Sequence, residues 1–495
     1  MPGTERRWIW AGAALALVAL PFLTVDFVPS TDLPQHLGQL RLFARAWADP
    51  DGPLRIQWWT PYGLVYGLLA IPWVLLPPVA AGRVGVLLLV LLQAAALHWV
   101  GAKYDRPIAA LVLATAFLFH GQLYWGFLNF ISGWIAFLVW FVLTRRRRED
   151  EPGRWRTAAL YFAAAALLYL SHALWFALGV AWLAVEAAIS RRSPRDLLWR
   201  AVGLAPVVVA AAIWFAFLRA SDFTSPPEWT VAPPLRLHPE LFALAALGGV
   251  RHPIEPIVVF GALAWAAAAI VAHRKSRAWG CDPYFAALAV LLFGLYLFLP
   301  YKFSNTIRFS TRWLPFAITS LLLAVDRPLL RRPLRRALAI ALLATLMVVT
   351  TATWRRFERT ELGGLAAALA ALPEEPRVVG LSYVATSRLL YGQPFIQTFA
   401  WAQAVRGGEL NFSFGYFAPS LVVYEDPGRV RWTWGLEWFP KRVRRRDFAF
   451  FDFALVSGDE AAHERMRALP ELEPVTEGGV WRLYEVADSP PLAAR

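Results

Sequence analysis

The sequence predicts an α-helical polytopic membrane protein of about 11 spans, followed by a small C-terminal extracytoplasmic α/β domain. Three observations carry that prediction. The first is composition: of 495 residues, 58% are hydrophobic and the mean hydropathy is +0.45, against roughly 45–50% apolar in soluble domains. The second is pattern, since apolar runs long enough to span a bilayer are separated by short arginine-rich loops. The third is where the charge sits. Net charge is +14, and the positives gather at Arg145 to Arg148, Arg191-Arg192, His273 to Arg277, Arg331-Arg332 and Arg335-Arg336. Threading the spans puts all of these loops on one side, as the positive-inside rule requires. The basic balance therefore reports topology, and no nucleic-acid partner is expected.

Taken in order, residues 8–25 form the first span, with Arg6 and Arg7 on the cytoplasmic side. They resemble a signal peptide in charge and length. No clear small-x-small cleavage site follows, so the segment is expected to be retained. The stretch from Val28 to Trp47 comes next. Ser30 or Thr31 can cap a helix, and Pro34 falls in its first turn, where a missing N–H costs nothing. Leu33, Leu37, Leu40, Ala44 and Trp47 then recur at helical spacing. The result is an outer-face juxtamembrane helix over 31–47, expected to lie along the membrane. Asp32 and His36 sit one turn apart on its flank.

Four apolar segments separate this helix from Arg145: 61–78, 84–100, 108–119 and 130–143. An odd number of crossings is required, so one segment does not cross. The candidates are 61–78, broken by Pro72 and closed by Pro77-Pro78, and the short 108–119. Such half-length elements are tolerated only inside protein or beside a water-filled cavity. Beyond Arg148 the pattern alternates cleanly over 158–170, 175–189, 197–218, 257–272, 284–299, 313–325 and 338–353. This places the N-terminus inside and the C-terminus outside.

Residues 354–495 lose the long apolar runs and gain charge. An amphipathic helix over 355–372 is expected on the membrane. Strands at 377–383, 448–457 and 480–486 and a helix at 459–469 make a small α/β domain. The domain reading is therefore 1–353 and 354–495. No internal repeat of fixed period appears, which weakens an inverted-repeat transporter. The single cysteine, Cys281, excludes an intramolecular disulfide and a cysteine metal site.

The chemistry-bearing residues converge on the outer side. Asp32 is a candidate general base or metal ligand; its plain alternative is a carboxylate satisfying helix N–H groups. His36 is placed to orient Asp32 or to share a divalent cation, Mg or Mn, with it. His120, Tyr124 and Asn129 interrupt an apolar stretch, and polar residues there usually face a cavity. His172 marks another outer turn. Lys302, Arg308 and Arg312 run against the inside bias for positives, and a lipid phosphate would explain them; snorkelling to headgroups is the alternative. No phosphate-cradling glycine loop, Gly-x-Ser-x-Gly or His-Glu-x-x-His motif is present.

One N-terminal span, an outer acid on a juxtamembrane helix, many further spans and an outer α/β domain resemble the GT-C superfamily. Asp32-Leu-Pro-Gln-His36, Gly126-Phe-Leu-Asn-Phe130 and Arg312-Trp-Leu-Pro-Phe316 carry the resemblance. In branches of that superfamily the first-loop motif is typically Asp-Glu, whereas Leu33 follows Asp32 here. The resemblance implies a glycosyltransferase of the bacterial inner membrane. Its donor would be a polyprenyl-phosphate-linked sugar, with the tail between spans and the phosphate near Lys302, Arg308 or Arg312. Asp32 would take the acceptor's proton, aided by His36 or a divalent ion. Trp432 to Trp438 would stack on acceptor or anchor at the interface. The rival class is a non-catalytic transporter or assembly component for cell-surface polysaccharide. The enzyme reading requires Asp32, His36, His172 and Arg308 or Arg312 to share one cavity; the rival does not.

Overall fold

The structure, a computed structural model, describes residues 2–146, 153–221, 225–276, 281–325, 332–425 and 431–487. Arg147, Arg148, Arg277 and Arg331 of the basic loops lie outside the described residues. In chain order the first helices are α1 Pro2–Ala19, α2 Leu33–Ala48, α3 Gly63–Trp73, α4 Pro78–Lys103, α5 Ile108–Thr115, α6 Gly121–Trp125 and α7 Leu128–Thr144. The strand β1 Leu54–Ile56 lies between α2 and α3. Then come α8 Arg154–Ser171, α9 Ala173–Ser190, α10 Pro194–Ala220, α11 Pro239–Ala246, α12 Ile254–Ser276, α13 Pro283–Phe298, α14 Leu314–Ala324 and α15 Arg332–Glu361. Among the described residues, six helical segments are long and apolar enough to cross a membrane, and five shorter apolar helices accompany them. The fold is that of a multi-pass helical membrane protein.

Side-chain pairs define two ends of the bundle. At one end Arg7 of α1 pairs with Asp105 beyond α4. Arg145, closing α7, bonds Asp282 at 3.0 Å and lies 3.9 Å over the Tyr104 ring. This is the basic end. At the other end Arg83 of α4 bonds Asp26 and the Val25 carbonyl, both at 2.9 Å, just past the end of α1.

These ends decide which short segment fails to traverse. α3 starts beside His36, whose ring meets the Tyr66 hydroxyl. It leads into α4 near Asp26, so it begins and ends at the same end. Pro72 lies inside it and Pro77-Pro78 turn the chain back. Eleven residues rise only about 16 Å, half a bilayer core. The segment from α5 to α6 does traverse, from the basic end to Gly126. Its helix breaks into a 3-10 turn at Ala116–Leu118, and every residue of it is buried. That burial is what an interrupted segment at membrane depth needs.

The C-terminal region adds α16 Leu365–Ala371, β2 Arg377–Ser382, α17 Trp401–Arg406, β3 Glu409–Leu410, β4 Val422–Tyr424, α18 Arg445–Phe448, β5 Phe453–Ser457, α19 Glu460–Arg467, β6 Leu472–Pro474 and β7 Trp481–Val486. Five strands form one sheet in the order β3-β2-β5-β7-β6, with β2 parallel to β3 and β5 and the other pairs antiparallel. Two expectations need correction. The strand expected over 448–457 begins only at Phe453; Phe448 and Phe451 turn into the core of this domain instead. Of the helix expected over 355–372, the part up to Glu361 continues α15 and the rest is the short α16, so position 353 falls inside a helix. Leu343, Met347, Thr350, Trp354 and Phe357 make one buried stripe at helical spacing. Nothing breaks it before Gly363-Gly364, where Gly364 has φ +91°.

α2 also differs from expectation. It does not lie open on a membrane surface: ten of its 16 residues are buried. The cause is Gln35 and Gln39, one turn apart. Gln35 Nε2 donates to Gln397 Oε1 at 2.8 Å and to the Phe412 carbonyl at 3.2 Å, and its Oε1 accepts from the Phe414 amide at 3.0 Å. Gln39 spans Val422 in the same two-way manner, at 3.1 and 2.8 Å. β1 then pairs antiparallel with β4, Leu54 opposite Tyr424. The C-terminal region is thereby bolted onto α2 and its loop.

Candidate functional site

Three hydrogen bonds fix the entry to α2. Ser30 Oγ donates to the Leu123 carbonyl at 2.9 Å, the Thr31 amide to Tyr124 at 2.8 Å and the Asp32 amide to Trp125 at 3.1 Å. The acceptors lie at the C-terminal end of α6, where helical donors run out; only the Leu123 carbonyl has one, the Gly126 amide at 3.1 Å. Ser30 and Thr31 therefore hold the chain to α6 rather than capping α2. Gly126 ends α6 in the left-handed region, φ +79°. The two motifs singled out in the sequence, 32–36 and 126–130, meet at this contact.

Asp32 occupies the N-cap position of α2, yet its carboxylate makes no capping bond. The carboxylate lines a cavity of about 350 Å³. Burial pushes its pKa up to about 7, and the guanidinium of Arg312 partly opposes the rise. An acid in that range is poised to exchange a proton at neutral pH.

Arg312 lines the same cavity. It donates to the Ile307 carbonyl at 3.0 Å, and its guanidinium lies 4.0 Å over the Phe127 ring. Its Nε has no partner, so donor capacity remains for an anion. His172 lines the wall beside it. There Nδ1 accepts the Leu174 amide at 3.1 Å, which leaves the proton on Nε2, and the ring packs against Tyr62 and Phe130. Burial and the charge of Arg312 hold this imidazole well below its usual pKa, so it is neutral. Asn129 is a further expected residue in the cavity, with an unpartnered buried Oδ1.

His36 is also at the cavity, but both ring nitrogens are spent. The Gly126 carbonyl can only accept, so Nε2–H donates to it at 3.1 Å. Nδ1 then accepts from the Tyr66 hydroxyl at 3.1 Å. Burial lowers its pKa to about 4. A neutral imidazole with two partners has no lone pair for a metal. Among the described residues no group of three or more His, Cys, Asp and Glu side chains is arranged around an ion. The residues present do not fit a cation shared by Asp32 and His36, since both His36 ring nitrogens are engaged.

The other expected residues sit outside this cavity. Lys302 is committed to Glu228 at 2.9 Å near the surface. The Tyr124 hydroxyl accepts from Trp354 Nε1 at 3.2 Å, joining α6 to α15. His120 caps α6 through Nδ1, accepting the Gln122 amide at 3.2 Å. Arg308 lies behind the wall, 5.7 Å from the Trp125 ring, with φ +55°. Sequence reasoning missed Tyr62, Tyr66, Asn305, Gln397 and Phe414, all of which line the cavity; Trp438, from the stretch singled out in the sequence, lines it too. The paired glutamines 35 and 39 were the available signal: two amides on the Asp32 face of a helix mark a face that protein covers.

The architecture is similar to that of a solved structure. The crystal structure of ArnT from Cupriavidus metallidurans in the apo state shares it over 98% of both chains, with a TM-score of 0.54 and 12% sequence identity. At that identity the likeness is one of fold. No protein-family model and no curated protein matches the sequence.

Proposed function

We propose that the protein is a membrane glycosyltransferase moving a sugar from a polyprenyl-phosphate-linked donor to an acceptor hydroxyl. The observation that carries this is Asp32, a carboxylate without a capping bond, facing a cavity it shares with Arg312 and His172. The likeness of fold to ArnT supports the same reading. Asp32 takes the proton of the acceptor hydroxyl as its oxygen attacks the anomeric carbon. The bond from that carbon to the phosphate breaks, and the phosphate leaves with both electrons. Arg312 neutralises the charge that develops on it. Attack opposite the leaving group inverts the anomeric centre.

In this reading the chain has about 11 spans in the bacterial inner membrane. The N-terminus is cytoplasmic, and the cavity and C-terminal domain face outward. The sequestered basic loops support that orientation. The test is transfer from a radiolabelled polyprenyl-phosphate sugar by purified protein, with Asp32→Asn beside it. General-base loss should lower turnover by about 10²–10⁴. An Asp32→Asn protein with wild-type turnover would remove the assignment. No transfer by wild type, with transport of the lipid-linked sugar in proteoliposomes, would favour the transporter class.

A further inference from the structure

Two neutral donors in the Asp32 cavity have no task in proton transfer. The first is Tyr62, the N-cap residue of α3, whose ring stands edge-on to His172 with centroids 5.1 Å apart. Two tyrosines line the cavity. The Tyr66 hydroxyl is committed to His36, whereas the Tyr62 hydroxyl takes part in no hydrogen bond among the described residues. The second donor is on His172. Its Nδ1 is spent on the Leu174 amide, so Nε2–H remains.

Both stand beside Arg312. The His172 ring lies 5.4 Å from that of Phe130, and the Arg312 guanidinium lies 5.3 Å from the same Phe130 ring. Burial raises the Tyr62 pKa to about 12, and the nearby charge of Arg312 partly opposes the rise. The hydroxyl therefore keeps its proton at neutral pH. Tyr62, His172 and Arg312 surround one patch of the cavity wall.

Among the described residues, Asp32 and Arg312 are the only charged side chains lining the cavity. That bears on the leaving group. A phosphodiester carries one negative charge; once its bond to the anomeric carbon breaks, the phosphate monoester carries two. Arg312 balances one. A second cation would balance the other, but it would also stabilise the Asp32 carboxylate and weaken it as a base. Neutral donors stabilise the growing charge without that effect.

We propose that the Tyr62 hydroxyl and the His172 Nε2–H are catalytic donors, both bonding non-bridging oxygens of the leaving phosphate beside Arg312. Neither gives up its proton. The assignment rests on the transfer reaction proposed for this cavity and adds two residues to it.

Purified full-length Tyr62→Phe and His172→Asn test this. Their substrates are the polyprenyl-phosphate sugar and its two phosphorothioate isomers, with sulfur at one or the other non-bridging oxygen. Tyr62→Phe keeps the ring and removes only the hydroxyl. His172→Asn keeps a capping acceptor for α9. Each should lower kcat by about 10²–10³, with the pH midpoint unmoved because both donors are neutral. Sulfur accepts hydrogen bonds weakly. With one isomer wild type should slow severalfold and Tyr62→Phe should slow less. Unchanged kcat in Tyr62→Phe, a shifted midpoint, or equal sulfur effects in wild type and Tyr62→Phe with both isomers would overturn the proposal. Tyr62→Phe decides if His172→Asn misfolds. Absence of transfer by wild type is a different failure, that of the transfer reading. Binding of polyprenyl phosphate then decides the contacts: weaker binding to Tyr62→Phe than to wild type sustains them, and equal binding removes them.

Discussion

A Cβ at position 126 would stand 2.5 Å from the amide nitrogen of Asp32 and 3.0 Å from its Cα. Gly126 therefore sets how closely the catalytic candidate approaches α6. Its φ of +79° is a second reason for glycine. The same residue's carbonyl holds His36, so one backbone unit positions both ends of the Asp32-to-His36 turn.

Gly126→Ala should accordingly cost stability and activity together. Left-handed strain and the clash with Asp32 each add about 1–3 kcal/mol. Turnover should fall further than stability predicts, because Asp32 moves. Thermal unfolding in detergent, run alongside the transfer assay, reads both. Normal turnover in a folded Gly126→Ala protein would show that Asp32 tolerates displacement, contrary to its proposed role.

His36→Ala separates positioning from chemistry. It leaves the Tyr66 hydroxyl and the Gly126 carbonyl without partners, at about 1–3 kcal/mol for each buried group. Turnover should drop while the pH dependence keeps its midpoint, since the base is still Asp32. A lost or shifted midpoint would give His36 a direct part in proton transfer.

The pH profile follows from Asp32. As a base it must be ionised, so kcat/KM should rise with pH and level off above about 7. His172 stays neutral across this range and adds no limb of its own. The stability effect has the opposite sense. A carboxyl whose pKa is raised on folding favours the native state at low pH and loses that contribution as pH climbs from about 4 to 7. Asp32→Asn should therefore unfold no more easily than wild type at neutral pH, and the slope of melting temperature across that interval should flatten. A melting temperature well below wild type would mean that the carboxylate holds the fold together.

Much of this was legible in the sequence, and the boundary has physical causes. Apolar runs and arginine loops describe the membrane part because lipid imposes length and charge rules on each segment separately. Asp32, His172 and Arg312 stood out because polar groups at a membrane edge are costly. What could not be read was pairing between distant segments: Gln35 to Phe412, Leu54 to Tyr424, Gly126 to Asp32. Those contacts make the cavity, and no periodicity records them. Lys302 shows the converse error. Its charge was as conspicuous as that of Arg312, but Glu228, far off in sequence, already neutralises it.

In the proposed mechanism Arg312 links donor binding to the acid. Its guanidinium lowers the Asp32 pKa against the stronger effect of burial. Removing the charge in Arg312→Gln should therefore move the rising limb of kcat/KM above 7, because nothing then opposes burial. The same variant loses its contact to the donor phosphate, worth about 1.5–3 kcal/mol for a charged hydrogen bond, or roughly 10- to 150-fold in kcat/KM. Arg312→Lys keeps the charge and loses the planar fork. It should restore the pH midpoint and recover only part of the rate. A purely structural role for Arg312 predicts something else: lower melting temperature in both variants and an unmoved midpoint. Measuring kcat/KM against pH for wild type, Arg312→Gln and Arg312→Lys distinguishes the two, since only direct electrostatic coupling to Asp32 moves the midpoint in one variant and returns it in the other.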